Sequence, residues 1–363
     1  MTSFPEGSAI VYCEGAFGTP NGKTAHGLVR RTLRYEILSV IDSRLAPADA
    51  GEILDGGKNG IPVWASLKEA IDDAQKRKKK ATFWIMGLAP DGGRLEHQNR
   101  DAVIQAVKTG LNVDSGLHDF LSEDSEISTL ALSTGSLLRD VRKPPSKNDL
   151  HFFSGKIENV NCLKVAVLGT DSAVGKRTTA CILTEAFQNR GIQAELIGTG
   201  QTAWMQGVRY GIILDSLIND FVAGEIEHVV WTAWNEVRPK VIIIEGQGSL
   251  MNPAYPGGFE ILAAGRPDAV VLQHAPARLE YDGFPGYPLH PIDIQIKAIE
   301  LLSGKPVAAI TVNHENILGE KIPDICASLT KKTKRPAADV LLEGADKILA
   351  ALMPYLKKYN VSQ

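Results

Sequence analysis

Along the first 140 residues, short apolar and β-branched runs alternate with stretches whose apolar positions recur every three or four residues. Residues 9–13 (AIVYC), 35–42 (YEILSVID) and 81–86 (ATFWIM) read as strands, and residues 24–33, 67–78 and 99–109 carry the helical period. Strands alternating with helices predict a parallel, doubly wound sheet of Rossmann-like rhythm. Between Leu138 and Cys162 the pattern dissolves into RDVRKPPSKNDLHFFSGKIENVNC (139–162), where Pro144-Pro145 and mixed charge indicate a linker. A new series then begins at residues 163–168 (LKVAVL), with further strands expected at 193–197, 241–245, 268–273 and 307–312. Helices fall near 177–189, 215–230, 292–302 and 344–357.

This pattern predicts an α/β protein of two doubly wound domains. Residues 1–150 form a degenerate Rossmann-like domain, and residues 151–363 a P-loop nucleotide-binding domain with a mostly parallel sheet. Ligands of such sheets bind at the carboxyl ends of the strands, so the loops beginning at 169, 198, 245, 274 and 313 should converge.

Size and composition agree with this division. A chain of 363 residues exceeds one ordinary core and suggests two domains of about 100–200 residues each. A net charge of −3 provides no overall basic field, which argues against nucleic acid or a membrane as partner. The four cysteines, Cys13, Cys162, Cys181 and Cys326, have no zinc spacing, and no apolar run reaches about 18 residues. The expectation is a cytoplasmic protein acting on small molecules; the sequence leaves a homo-oligomer open.

The strongest chemical signal is GTDSAVGKRTTA, residues 169–180. A buried strand ends, a glycine-rich turn follows, and a helix begins, so backbone N–H groups and the helix N-terminus can hold phosphate oxygens while Lys176 adds a positive charge. The cofactor-binding residues expected here are Gly169, Thr170, Asp171, Ser172, Ala173, Val174, Gly175, Lys176, Arg177, Thr178 and Thr179. Two features depart from the usual loop: five residues separate its glycines, and Arg177 stands where Ser or Thr should follow the lysine. Residues 18–24 (GTPNGKT) end more conventionally but fit no phosphate-loop spacing. Gly15-Ala16-Phe17-Gly18 and Asp42 are a weak dinucleotide signal.

The form G-T-D-x-x-V-G-K resembles the loop of dethiobiotin synthetase and related amidoligases. That resemblance implies a magnesium ligand at Asp171, and a second at Glu245, which ends a strand and opens Glu245-Gly246-Gln247-Gly248. Arg177 cannot bind magnesium, so either Thr178 or Thr179 would substitute, or the metal site is weak. Asn313, just after the strand at 307–312, takes the place of an asparagine that contacts the purine in those enzymes.

Taken together, GKTAHGLVR (22–30), GTDSAVGKRTTA, IGTGQT (197–202), LDSLINDFVAGEIE (214–227), EGQGSLMNPAY (245–255) and VLQHAP (271–276) resemble an uncharacterised-domain family that pairs a Rossmann-like N-terminal domain with a P-loop domain. Its members include the D-glutamate N-acetyltransferase type. The resemblance implies acyl transfer from acetyl-CoA to the amine of a small amino acid.

Other residues suit a substrate wall. His274, past a strand, is a candidate base with Lys176 as the other catalytic residue. Arg278 or Arg266 could pair a carboxylate; Asp215 could cap a helix; Asp220 and Glu227 share a helical face. Residues 281–291 (YDGFPGYPLHP) read as a shaped loop. Two functions follow: an N-acyltransferase using acetyl-CoA, or an ATP-dependent carboxylate–amine ligase using Mg2+, with Lys176, Asp171 and Glu245 at its centre.

Overall fold

The computed structural model describes residues 4–360, which divide into two compact units. The first comprises the chain up to Pro144 together with residues 201–208; the second comprises Pro145–Gly200 and the chain from Arg209 onward. By contacts the chain divides at 144/145, and a short piece of the second half of the sequence belongs to the first unit.

In the first unit β1 (Gly7–Tyr12), β2 (Tyr35–Ile41), β3 (Ala48–Asp49), β4 (Pro62–Trp64), β5 (Phe83–Met86), β6 (Asn112–Ser115) and β7 (Leu138–Asp140) form one sheet in the order β3-β4-β2-β1-β5-β6-β7. All pairings are parallel except β3 with β4. The unbroken apolar runs of β1 and β5 follow from this position, because helices cover both faces of a parallel sheet. The edge strands β3 and β7, and β4 next to β3, are of two or three residues, too short to show an alternating period.

Residues 201–208 complete this unit. Met205 of the helix Gln201–Met205 is fully buried in the first core, and the Trp204 ring lies 3.8 Å from the Arg34 guanidinium carbon. Thr24, in the GTPNGKT segment, meets Thr202 through a buried hydroxyl pair at 3.1 Å. Asp42 accepts from the backbone N–H of Phe17 (2.9 Å) and of Arg44 (3.1 Å), so it ties together two turns.

The second unit contains β8 (Leu163–Gly169), β9 (Ala194–Gly198), β10 (Tyr210–Gly211), β11 (Val241–Glu245), β12 (Ala269–His274), β13 (Val307–Val312) and β14 (Ala337–Ala338), in the order β10-β9-β11-β8-β12-β13-β14, all parallel. The strand period of two divides β8 between two cores. Leu163, Val165 and Val167 pack with Leu183 and Phe187 of the helix Lys176–Gln188, whereas Ala166 and Leu168 pack with Ile226 and Val230 of the helix Asn219–Val237. Register aligns the strand ends: Glu245 lies opposite Val167, Gln273 opposite Gly169, and His274 opposite Val312.

The linker is anchored rather than loose. The His151 N–H donates to Glu225 at 2.6 Å, and the Ser154 N–H and hydroxyl donate to Glu227 at 2.6 and 2.8 Å. Gly224 lets the two backbones approach, since a Cβ there would lie 2.0 Å from the His151 carbonyl oxygen. Glu227 therefore holds the linker instead of facing solvent with Asp220. Asp215 falls in a short 3-10 turn, Leu214–Ser216, before the helix, whose N-cap is Ile218.

Candidate functional site

β8 delivers Gly169 to the carboxyl edge of the sheet, and residues 170–175 turn the chain into the helix Lys176–Gln188. Ala173 (φ 50°) and Gly175 (φ 101°) occupy the left-handed region, a conformation that recurs in anion-binding backbone nests. The Lys176 ammonium lies across the loop and donates to the Asp171 carbonyl at 2.8 Å.

Asp171, fully buried, is the structural hub of the loop. Its Oδ1 accepts from the Ser172 N–H (2.7 Å) and the Asn252 side-chain amide (2.8 Å). Its Oδ2 accepts from Arg278 Nη1 (2.9 Å) and the Asp282 N–H (2.9 Å). Arg278 also donates to the Ser172 carbonyl at 2.8 Å and pairs Glu315 at 2.7 Å, closing a clamp over the loop. The Asp282 contact fixes the start of the 281–291 loop, within which Tyr281 and His290 meet at 2.8 Å.

The rest of the loop is braced from the strands on the other side. Asn313 donates its amide to the Val174 carbonyl (2.9 Å), while its own carbonyl accepts from the Glu315 N–H. Gln295 donates to the Thr170 carbonyl at 3.1 Å, and the Thr170 hydroxyl meets His274 Nδ1 at 3.0 Å. Thr179 and Thr311 both donate to the Gln273 side-chain carbonyl. Burial, with a smaller contribution from Lys332, lowers His274 to about 4, so its imidazole is neutral near pH 7.

On the β9 and β11 side, Glu245 is buried and accepts from the Thr199 N–H at 3.0 Å. Burial raises its carboxyl above the usual range, opposed by the Arg177 cation, the Thr199 N–H and Lys176. Gln247 donates to the Thr199 hydroxyl at 3.1 Å. Arg177 is half-buried and, among the described residues, makes no hydrogen bond or ion pair; Thr178 is half-buried beside it.

The predicted residues therefore meet at one edge of one sheet. The chemistry of Asp171 and Asn313, however, is directed into the protein: four donors face the carboxylate, and both ends of the amide are engaged. Arg278 pairs Asp171 and Glu315, while Arg266 pairs Glu158 on the surface. No separate sequence signal marks the bracing residues Asn252, Gln273 and Gln295, although Asn252 lies inside the EGQGSLMNPAY segment and Gln273 inside VLQHAP. Two clefts of the first unit, about 450 and 340 Å3 and lined in part by Asp49 and Arg77 and by Leu67 and Lys108, hold none of the predicted site residues.

Residues 151–349 match the model of a family described as a domain of unknown function, DUF1611, P-loop domain, and residues 43–144 match its Rossmann-like N-terminal domain. The chain belongs to the DUF1611 family. The fold of this DUF1611 protein matches the crystal structure of a DUF1611 family protein from Anabaena variabilis ATCC 29413, with a TM-score of 0.87 and 28% identity, covering 96% of this chain and 99% of that one. It is also similar to two proteins named D-glutamate N-acetyltransferase. The one from Pseudoalteromonas sp is 32% identical over 306 residues, 81% of this chain and 88% of its own. The one from Tritonibacter scottomollicae is 30% identical over 275 residues, 74% and 80% respectively. Among the described residues of the DUF1611 chain, no helix is long and apolar enough to cross a membrane.

Proposed function

We propose that this protein transfers an acetyl group from acetyl-CoA to the amino group of a small acidic amino acid of the D-glutamate type. The observation that carries the proposal is the similarity, over most of both chains, to two proteins named for that reaction. The loop supports it: Lys176 and Arg177 stand adjacent in the first turn of a helix, after a loop with two left-handed residues, an arrangement suited to a phosphate-rich carrier such as CoA.

In this reading the substrate ammonium gives up a proton to the Glu245 carboxylate, its nitrogen attacks the thioester carbonyl carbon, the C–N bond forms, and the C–S bond breaks as a second nitrogen proton passes to the departing sulfur, so that CoA leaves as the thiol. Lys176 and Arg177 hold the carrier phosphates. Glu245, the buried carboxylate beside these cations, is the residue we assign to the ammonium side. His274 is assigned to positioning: a base lowered to about 4 is poorly matched to an ammonium, and its contact with Thr170 orients the loop. We place the reaction in the cytoplasm, consistent with four cysteines none of which is joined in a disulfide.

The test incubates the full chain with D- or L-glutamate and either acetyl-CoA or ATP with Mg2+. Free thiol and N-acetylglutamate without ADP are expected. ADP formed with a carboxylate substrate, with acetyl-CoA inert, would establish the ligase instead.

A further inference from the structure

Magnesium at a phosphate loop needs oxygen ligands at about 2.0–2.1 Å that are not engaged elsewhere. The three residues to which the amidoligase resemblance assigns the metal do not supply such a set. Both oxygens of Asp171 face hydrogen-bond donors, one of them a guanidinium 2.9 Å away, so a second cation there would meet like charge. The Thr179 hydroxyl is spent on Gln273, and the residue after the lysine, where a hydroxyl ligand normally sits, is Arg177. Thr178 and Glu245 remain, and the cations that act on Glu245 are Arg177 and Lys176.

We infer that this loop binds its phosphate ligand without a divalent ion, with the Arg177 guanidinium as the built-in cation beside Glu245. Three observations converge on this role. Arg177 occupies the first turn of the loop helix, its guanidinium has no hydrogen-bond or ion-pair partner among the described residues, and it acts electrostatically on the buried carboxylate at the end of β11. A guanidinium is charged at every working pH and presents a planar fork of donors that engages two phosphate oxygens at once. The inference rests on residues 169–179 being a phosphate site and is independent of which amino acid accepts the acyl group.

The test is calorimetric titration of the full chain with CoA, and separately with ADP, in EDTA and in excess MgCl2. The probe that binds should do so with equal affinity in both buffers. Arg177→Thr, which restores the hydroxyl, should lose about tenfold or more in EDTA, corresponding to about 1.4 kcal/mol; Arg177→Lys, which keeps the charge but not the two-pronged fork, should lose less than Arg177→Thr. A wild-type affinity that drops about tenfold on removing Mg2+ overturns the inference, as does unchanged binding by Arg177→Thr in EDTA. If neither probe binds in either buffer, the phosphate-site reading fails and takes the inference with it. The wild-type comparison needs no variant to fold.

Discussion

Arg278 donates to Asp171 across 2.9 Å from a position 107 residues further along the chain, and both groups are almost wholly removed from water. The pair converts the residue that looks most like a metal ligand into the keystone of a loop. A carboxylate with four donors is a fixed acceptor, and its orientation in turn fixes Ser172, Asn252 and Asp282.

Asp171→Asn should destabilise the protein by about 1–3 kcal/mol, because an amide hydrogen must confront a donor in a buried site. Arg278→Ala should cost more, about 3–5 kcal/mol, since it leaves a buried carboxylate short of its countercharge. Urea denaturation of both variants checks this. An Asp171→Asn protein with wild-type stability, changed only in its response to Mg2+, would restore the metal role.

Lys176→Ala removes the ammonium that donates to the Asp171 carbonyl and, with it, one charge from the proposed phosphate site. We expect a melting temperature close to that of the wild type and a loss of about ten- to a hundredfold in CoA affinity, the scale of one charge-assisted hydrogen bond. Calorimetry beside a thermal melt distinguishes this from unfolding.

His274 makes stability depend on pH in a definite direction. Its folded value, about 4, lies below the ordinary 6.5, so the unfolded chain takes up the proton first. The contribution is complete above about pH 6.5 and is lost as the pH falls toward 4, by about 3 kcal/mol in all. Denaturation midpoints measured across that window should fall more steeply for the wild type than for His274→Gln; parallel slopes would remove His274 as the cause.

Gly224→Ala reverses an ordinary preference. In an exposed helix interior alanine is favoured over glycine by about 1 kcal/mol. Here the added methyl would meet the His151 carbonyl oxygen at 2.0 Å, and the anchored linker would have to move. Lower thermal stability and faster proteolysis within residues 151–157 are expected; a stabilised variant would show that the linker does not pack as described.

Much of the second unit was legible because parallel strands buried on both faces leave continuous apolar runs: 241–245 and 307–312 are observed with the expected bounds, and 163–168 gains one residue. β10, β14 and the helix Gln201–Met205 left no comparable signal, being two to five residues long. The position of the loop between a strand and a helix was equally readable, since Gly175 with positive φ and the residues around it are local requirements of that turn.

By itself, then, the sequence determined two α/β units, the sheet edge at which the loops meet, and a loop shaped for phosphate, because each depends on neighbours within a few residues. Tertiary structure decided what the loop's side chains are for. Asp171 finds its partners at 252, 278 and 282, Asn313 reaches back to Val174, and residues 201–208 join the first core rather than the second. No local period encodes such pairings; they are selected by the cost of leaving a buried charge or amide unsatisfied, which arises only once the chain has closed around it.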